Sequence, residues 1–141
     1  MPQFPSRAWC QEALRLLEAD PETVRAGKGW TADIGVVVEA EPGKLDKSFV
    51  VYVRPVEGRI EEWKVLVDPD DLDEFEPVYR IQAPYSVWKG FLTGTVDPIE
   101  AVLRRRVQVD GDLQPLVERM QHKGLAERVL ERIQTDFIDE R

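Results

Sequence analysis

Three strand-like stretches, two of them with a two-residue period, constrain what the first half of this chain can become. In 30–40, Trp30, Ala32, Ile34, Val36, Val38 and Ala40 fall on one side of an extended backbone. Residues 49–53 are a continuous β-branched and aromatic run, and 60–67 alternates again, with Trp63, Val65 and Val67 together. Turn residues separate the runs, Glu41-Pro42-Gly43 first and Glu57-Gly58 second. Alternation bounded by such turns predicts a meander of antiparallel strands. Residues 78–83 read as a weaker fourth strand, stopped by Pro84.

Elsewhere the period is helical. Ser6 is an N-cap for a first helix whose Trp9, Cys10, Ala13, Leu14 and Leu17 share a face. Asp20-Pro21 restarts a short turn that Gly27 and Gly29 end. Residues 85–92 read as a helix stopped near Gly94. Asp97-Pro98-Ile99-Glu100 opens another, with cap, N1 proline and a capping-box glutamate. Val107-Gln108-Val109 is a short strand, and Asp110-Gly111 turns it into a helix capped by Asp112. Leu113, Leu116, Val117 and Met120 form one helical stripe. After Gly124, Leu125, Val129, Ile133 and Phe137 form a second. Strands first and helices mostly after predict an α+β layer fold, with helices on one face of the sheet and a more charged face toward water or a partner.

The chain has 141 residues, which reads as one domain over 1–141, large enough to fold without disulfides or a metal. Its net charge of −8 sets nucleic acid aside and disfavours spontaneous binding to anionic membrane. One cysteine excludes a disulfide framework and fits a reducing compartment. No apolar run is long enough to span a bilayer, so no stable membrane insertion is expected. Met1-Pro2-Gln3-Phe4-Pro5 has no signal-peptide pattern, and the C-terminal residues are not a Ser-Lys-Leu address. The expected location is cytoplasmic.

Chemistry-bearing residues are sparse. His122 is the single histidine, which rules out a Ser-His-Asp triad and a multi-histidine metal site. It reads as a solvated or capping residue. Cys10 lies on the apolar face of the first helix and reads as structural. The acidic run Asp68, Asp70, Asp71, Asp73, Glu74, Glu76 fails the EF-hand pattern. Counted from Asp68, Leu72 and Asp73 occupy the fifth and sixth positions, so a solvated turn is expected. Arg104-Arg105-Arg106 suits a helix C-terminus through the dipole, or else contacts an anionic head group or partner. No nucleophile elbow, Walker loop or dinucleotide fingerprint is present. No catalytic residue, metal or cofactor is expected.

What remains is an apolar inventory in the second half. Tyr85, Trp88, Phe91, Leu92, Ile99, Val102 and Leu103 come from two short helices, and Leu113, Leu116, Val117, Met120, Val129 and Ile133 from the last two. Such stripes are core by default. Short angled helices over a small sheet also leave internal space of ligand size.

The stretch 83–101, Ala-Pro-Tyr-Ser-Val-Trp-Lys-Gly-Phe-Leu-Thr-Gly-Thr-Val-Asp-Pro-Ile-Glu-Ala, is similar to the signature of the sterol carrier protein 2 family. A strand end leads into a Trp-bearing helix, a Gly turn and an Asp-Pro helix start. Val107-Gln108-Val109-Asp110-Gly111-Asp112 then matches its short strand and Gly-Asp turn. Trp9-Cys10-Gln11-Glu12-Ala13-Leu14, Gly29-Trp30 and the meander extend the likeness over nearly the whole chain, toward bacterial stand-alone members. The resemblance implies a five-stranded, mostly antiparallel sheet layered against helices around a hydrophobic tunnel. It implies binding, and transfer or presentation, of a fatty acid, acyl-CoA or sterol-like lipid, without enzymatic activity. The tunnel wall would be the helices in 85–92, 97–103 and 113–137. One departure is Arg105, where family members carry a small residue, often Gly. If that backbone needs positive φ, Arg costs on the order of 1 kcal/mol more than Gly. The alternative function is an interaction or dimerisation module with a filled core, recruiting a protein or a second copy through the exposed sheet face or an edge strand such as 78–83.

Overall fold

The computed structural model describes residues 1–120 and 130–140. The chain opens with β1 (Gln3–Phe4), α1 (Arg7–Ala19) and α2 (Pro21–Ala26). The Ser6 hydroxyl accepts the Trp9 N–H at 3.1 Å and so caps α1. Asp20 serves two helices. Its N–H donates to the Leu16 carbonyl at the end of α1, and its carboxylate accepts the Thr23 N–H at 3.1 Å to start α2, with Pro21 in the first turn.

The meander forms as β2 (Ile34–Glu39), β3 (Phe49–Val56) and β4 (Arg59–Leu66). Glu57 and Gly58 both have positive φ, which makes the β3–β4 connection a two-residue turn of the hand that matches strand twist. Gly58 also lies against α2. A Cβ there would stand 2.2 Å from the Val24 carbonyl oxygen. After a 3-10 helix (Pro69–Glu74) come β5 (Tyr79–Pro84), α3 (Tyr85–Thr93), α4 (Pro98–Leu103), β6 (Gln108–Asp110) and α5 (Leu113–Met120).

The sheet runs in the order β4-β3-β2-β5-β6, with β2 and β5 parallel and the other pairs antiparallel. Five mostly antiparallel strands under helices give the expected α+β class. Strand β5 is the one element of the meander reading that moves. It lies inside the sheet, between β2 and β6, so 78–83 is no edge available to a partner.

The register sorts the side chains onto two faces. Val36 stands beside Val51 and Ile81, and Val38 beside Phe49 and Ala83, on the face under α1 and α3. The opposite face is not simply charged. Val37, Val50, Tyr52 and Leu72 form a second buried cluster there, with Leu66 and Phe75 against it. The acidic run expected as a solvated turn is the 3-10 helix that supplies Leu72, fully buried, to this cluster. Gly35 in β2 makes room for it, since a Cβ would meet both Leu72 methyl carbons at 2.8 Å. Asp68 caps this helix in a capping box with Asp71. The acids stay in water while the single leucine between them goes in.

The last segment also departs from its pattern. Phe137, expected on a helical stripe with Ile133, lies in β7 (Asp136–Phe137), which pairs in parallel with β1 and joins the two ends of the chain. The Pro2 carbonyl accepts the Asp136 N–H at 3.0 Å. A second 3-10 helix (Ile138–Glu140) follows. His122, Leu125 and Val129 lie outside the described residues.

Arg105 has φ 60°, the conformation that suits glycine. Its N–H donates to the Val102 carbonyl, and the Arg106 N–H to that of Ala101, closing α4 as a Schellman motif. Arg105→Gly is expected to raise stability by ~0.5–1 kcal/mol, because relief of the left-handed penalty outweighs glycine's greater freedom when unfolded. Urea unfolding of the two proteins checks this; a lower midpoint in the variant contradicts it.

Candidate functional site

Between the sheet and helices α1 and α3 lies a cavity of about 320 Å³. Its floor is one face of two neighbouring strands, Val36 and Val38 from β2 and Phe49, Val51 and Val53 from β3. The two-residue period of those strands puts all five on the same side. One wall is the α1 stripe of Trp9, Cys10, Ala13, Leu14 and Leu17, and the facing wall is Trp88, Phe91 and Leu92 of α3. Phe4, Pro98 and Leu130 complete the lining.

The polar parts of the lining are turned away or neutral. The Trp88 indole N–H donates to the carbonyls of Val37 at 3.1 Å and Ala83 at 3.0 Å. The Trp9 indole N–H donates to the Thr135 hydroxyl at 3.0 Å. Cys10 brings the one side-chain heteroatom without such a partner, and burial pushes its thiol up to about 12 against the opposing charge of Arg7. No carboxylate, amine, imidazole or hydroxyl is among the described lining residues. The described wall offers dispersion and shape, and among the described residues it has no fixed donor to orient a polar group and no acid–base pair.

A polar clasp stands behind one wall. Phe4 meets Trp9 edge-on at 4.9 Å and stacks on Tyr85 at 6.0 Å, within a cluster that includes Ile133. The Tyr85 hydroxyl donates to Asp139 at 2.7 Å, and the Lys89 ammonium reaches Asp139 at 3.1 Å and Glu140 at 2.5 Å. Burial raises the Tyr85 phenol, and the Asp139 charge raises it further. For Asp139 itself, burial works against ionisation, but the bonds from Tyr85 and Lys89 outweigh it and hold the carboxyl below its usual value. The C-terminal segment is thereby tied to α3.

The residues expected to form a site from the late helices are distributed over several places. Trp88, Phe91 and Leu92 line the cavity. Tyr85 and Ile133 are buried in the cluster behind it. Val102 packs with Ala83, Val87, Ala101 and Val107, while Ile99 is half-buried on α4. Leu103 and Leu113 border a separate groove that Val102 also reaches. Leu116 is buried and Val117 half-buried on α5, which Met120 ends. Val129 is outside the described residues. Most of the cavity comes instead from α1 and from the alternating faces of β2 and β3. Both patterns are plain in the sequence, but nothing in them shows that these two faces stand apart from each other.

No protein-family model and no curated protein matches the sequence. Solved structures do match the fold. A crystal structure of sterol carrier protein 2 superposes with a TM-score of 0.78 at 20% identity, over 93% of this chain and 99% of that one. The solution structure of a conserved hypothetical protein from Thermus thermophilus, described as a possible sterol carrier protein, gives 0.79 at 19% identity, over 96% and 93%. The stereoselective inverting sec-alkylsulfatase Pisa1 from Pseudomonas sp. shares 77% of this chain at 0.51 and 17% identity, using 15% of its own length. The molecule is thus an α+β protein with an apolar cavity between sheet and helices. Its fold is that of sterol carrier protein 2, as the resemblance of 83–101 implies.

Two outcomes follow from the ionisable groups. Native Cys10, half-buried and with its thiol pushed up, is expected to resist thiol reagents at pH 8 and to react on unfolding, checked by absorbance with a disulfide reagent; rapid native labelling contradicts the raised thiol. Asp139, with its folded value depressed, contributes stability that is present above its unfolded value near 3.8 and is lost as pH falls through the lower folded value. Asp139→Asn is therefore expected to flatten the acid limb of the stability–pH curve, read by urea midpoints below pH 5.

Proposed function

We propose that the protein binds an apolar small molecule, of the acyl-chain kind, in the cavity between α1, α3 and the sheet, and carries or presents it. The observation that supports this reading is the lining itself, a hollow of about 320 Å³ whose side chains offer carbon and one neutral thiol. Filled cores do not leave such a volume, because interiors pack about as densely as organic crystals. Apolar cavities of about 150 Å³ stay dry and accept benzene, so this one suits on the order of a dozen carbons. That size favours a single hydrocarbon chain over a fused-ring lipid. The sterol carrier name of a structural neighbour agrees with a lipid ligand in general.

The energetics suit a carrier. Roughly 0.8 kcal/mol per buried methylene gives about 10 kcal/mol gross for a dozen carbons. Association costs roughly 4–15 kcal/mol. The balance reaches tens of micromolar at best, a range in which release stays easy. No residue is asked to act as catalyst.

Delipidated protein is expected to titrate saturably with a fluorescent fatty-acid analogue, with displacement by an unlabelled medium-length acyl chain. Val51→Trp, which fills the floor, is expected to weaken binding at least tenfold while the far-UV circular dichroism stays unchanged. Leu92→Trp serves the same purpose from the opposite wall. A flat titration of the native protein, or equal affinity in both folded variants, refutes the assignment.

A further inference from the structure

We infer that the rim formed by the end of α4 and the start of α5 is a docking surface for an anionic lipid bilayer. Arg104, Arg105 and Arg106 are all exposed there. Leu103, 67% exposed, and Leu113, 38% exposed, flank them. Leu103, Arg105, Arg106 and Leu113 border one open groove of about 770 Å³ beside β6. The other exposed large apolar residues described are Met1, Val67 and Val78, and the last two stand next to Asp68 and close to Glu76 in the sequence. Among the described residues, exposed leucines and consecutive arginines coincide only at this rim.

Charge points to the occupant. Guanidinium groups match phosphate oxygens in a planar, two-point geometry, and leucines beside them suit the boundary between head groups and acyl chains. Arg104 already pairs with Glu100 at 3.0 Å. No described carboxylate lies within salt-bridge distance of Arg105 or Arg106. The acids nearby are otherwise engaged or at the margin. Glu39 in the groove accepts from the Gln82 amide at 2.7 Å, Asp112 accepts the Gln114 N–H, and Asp110 is exposed on β6. The chain as a whole carries a net −8 even with these three arginines counted, so the rest of it is repelled by an anionic surface. Among the described residues, consecutive exposed arginines stand together at this rim, so contact through it is oriented. Arg105 strengthens the case because it holds a backbone conformation in which glycine would be less strained. A long cationic side chain is kept where the backbone disfavours it.

The docking geometry stands apart from the cavity reading, which supplies its purpose. An apolar guest exchanges poorly through water, and a docked carrier shortens that path. Helix α4 contributes to both spaces, Pro98 to the cavity and Val102 and Leu103 to the groove.

The test is flotation of the full chain with vesicles of equal parts phosphatidylcholine and phosphatidylglycerol, against pure phosphatidylcholine, at low salt. The native protein is expected to float with the anionic vesicles alone and to be released by added salt. The double substitution Arg105→Gly with Arg106→Gln is expected to lower the partition coefficient by about fivefold per arginine removed. Leu103→Ser with Leu113→Ser is expected to lower it as well. Both pairs are surface changes, so the fatty-acid-analogue titration is expected to stay close to native, and the thermal midpoint is expected not to fall, rising slightly in the variant with Arg105→Gly. Absence of flotation, equal flotation on neutral vesicles, or native partitioning of the arginine variant each overturns the inference. So does equally tight binding of polyglutamate that the leucine changes leave intact, since an acidic protein partner would then own the rim. A failed guest titration with intact flotation refutes the cavity reading alone.

Discussion

Trp88 holds the architecture around the cavity open. Its indole N–H bridges two carbonyls, Val37 on β2 and Ala83 on β5, while its ring faces the hollow. A buried indole N–H without a partner costs about 1–3 kcal/mol, so the ring has one orientation in which it is both apolar wall and satisfied donor. That orientation fixes α3 at a set height above the sheet. On the other side Trp9 is fixed in the same way by Thr135, which anchors α1 to the C-terminal segment. With both walls pinned by polar contacts at their backs, neither can slide in to close the space between them. The hollow persists because collapse would break hydrogen bonds inside a low-dielectric interior.

The two ends of the chain take part in that bracing. Phe4 from β1 sits between Trp9, Tyr85 and Phe137, and the parallel pairing of β1 with β7 brings it there. Tyr85 and Lys89 then hold Asp139 and Glu140. The opposite face of the sheet carries a smaller core of its own beneath the 3-10 helix, where Tyr52 stacks on Phe75 at 4.4 Å and bonds Asp33. The sheet is therefore covered on both faces, which a single helical layer would not achieve.

The chemistry of the cavity follows from what its walls lack. In the proposed role, described walls without ions or oriented donors would select a guest by length and girth, with an affinity that grows with each methylene covered.

Local structure was legible in the sequence to a large degree. Ser6, Asp20 and Asp97 cap the helices they were expected to cap, Gly94 ends α3 with positive φ, and the strands appear within a few residues of their alternating runs. These are short-range effects, decided by a side chain and the backbone within four residues of it. The resemblance in 83–101 carried the fold class further than any periodicity could. The tertiary structure alone decided which apolar faces touch and which stand apart. The α1 stripe and the β2–β3 face were visible as patterns, yet a stripe that packs and a stripe that borders a void have the same sequence signature. Likewise Leu72 lies in an acidic run and Phe137 at a helical spacing, and each was claimed by a neighbour distant in the chain, Gly35 and Phe4 respectively. The hollow is a difference between large surfaces meeting at a distance set by two indole hydrogen bonds, and no local pattern encodes that distance.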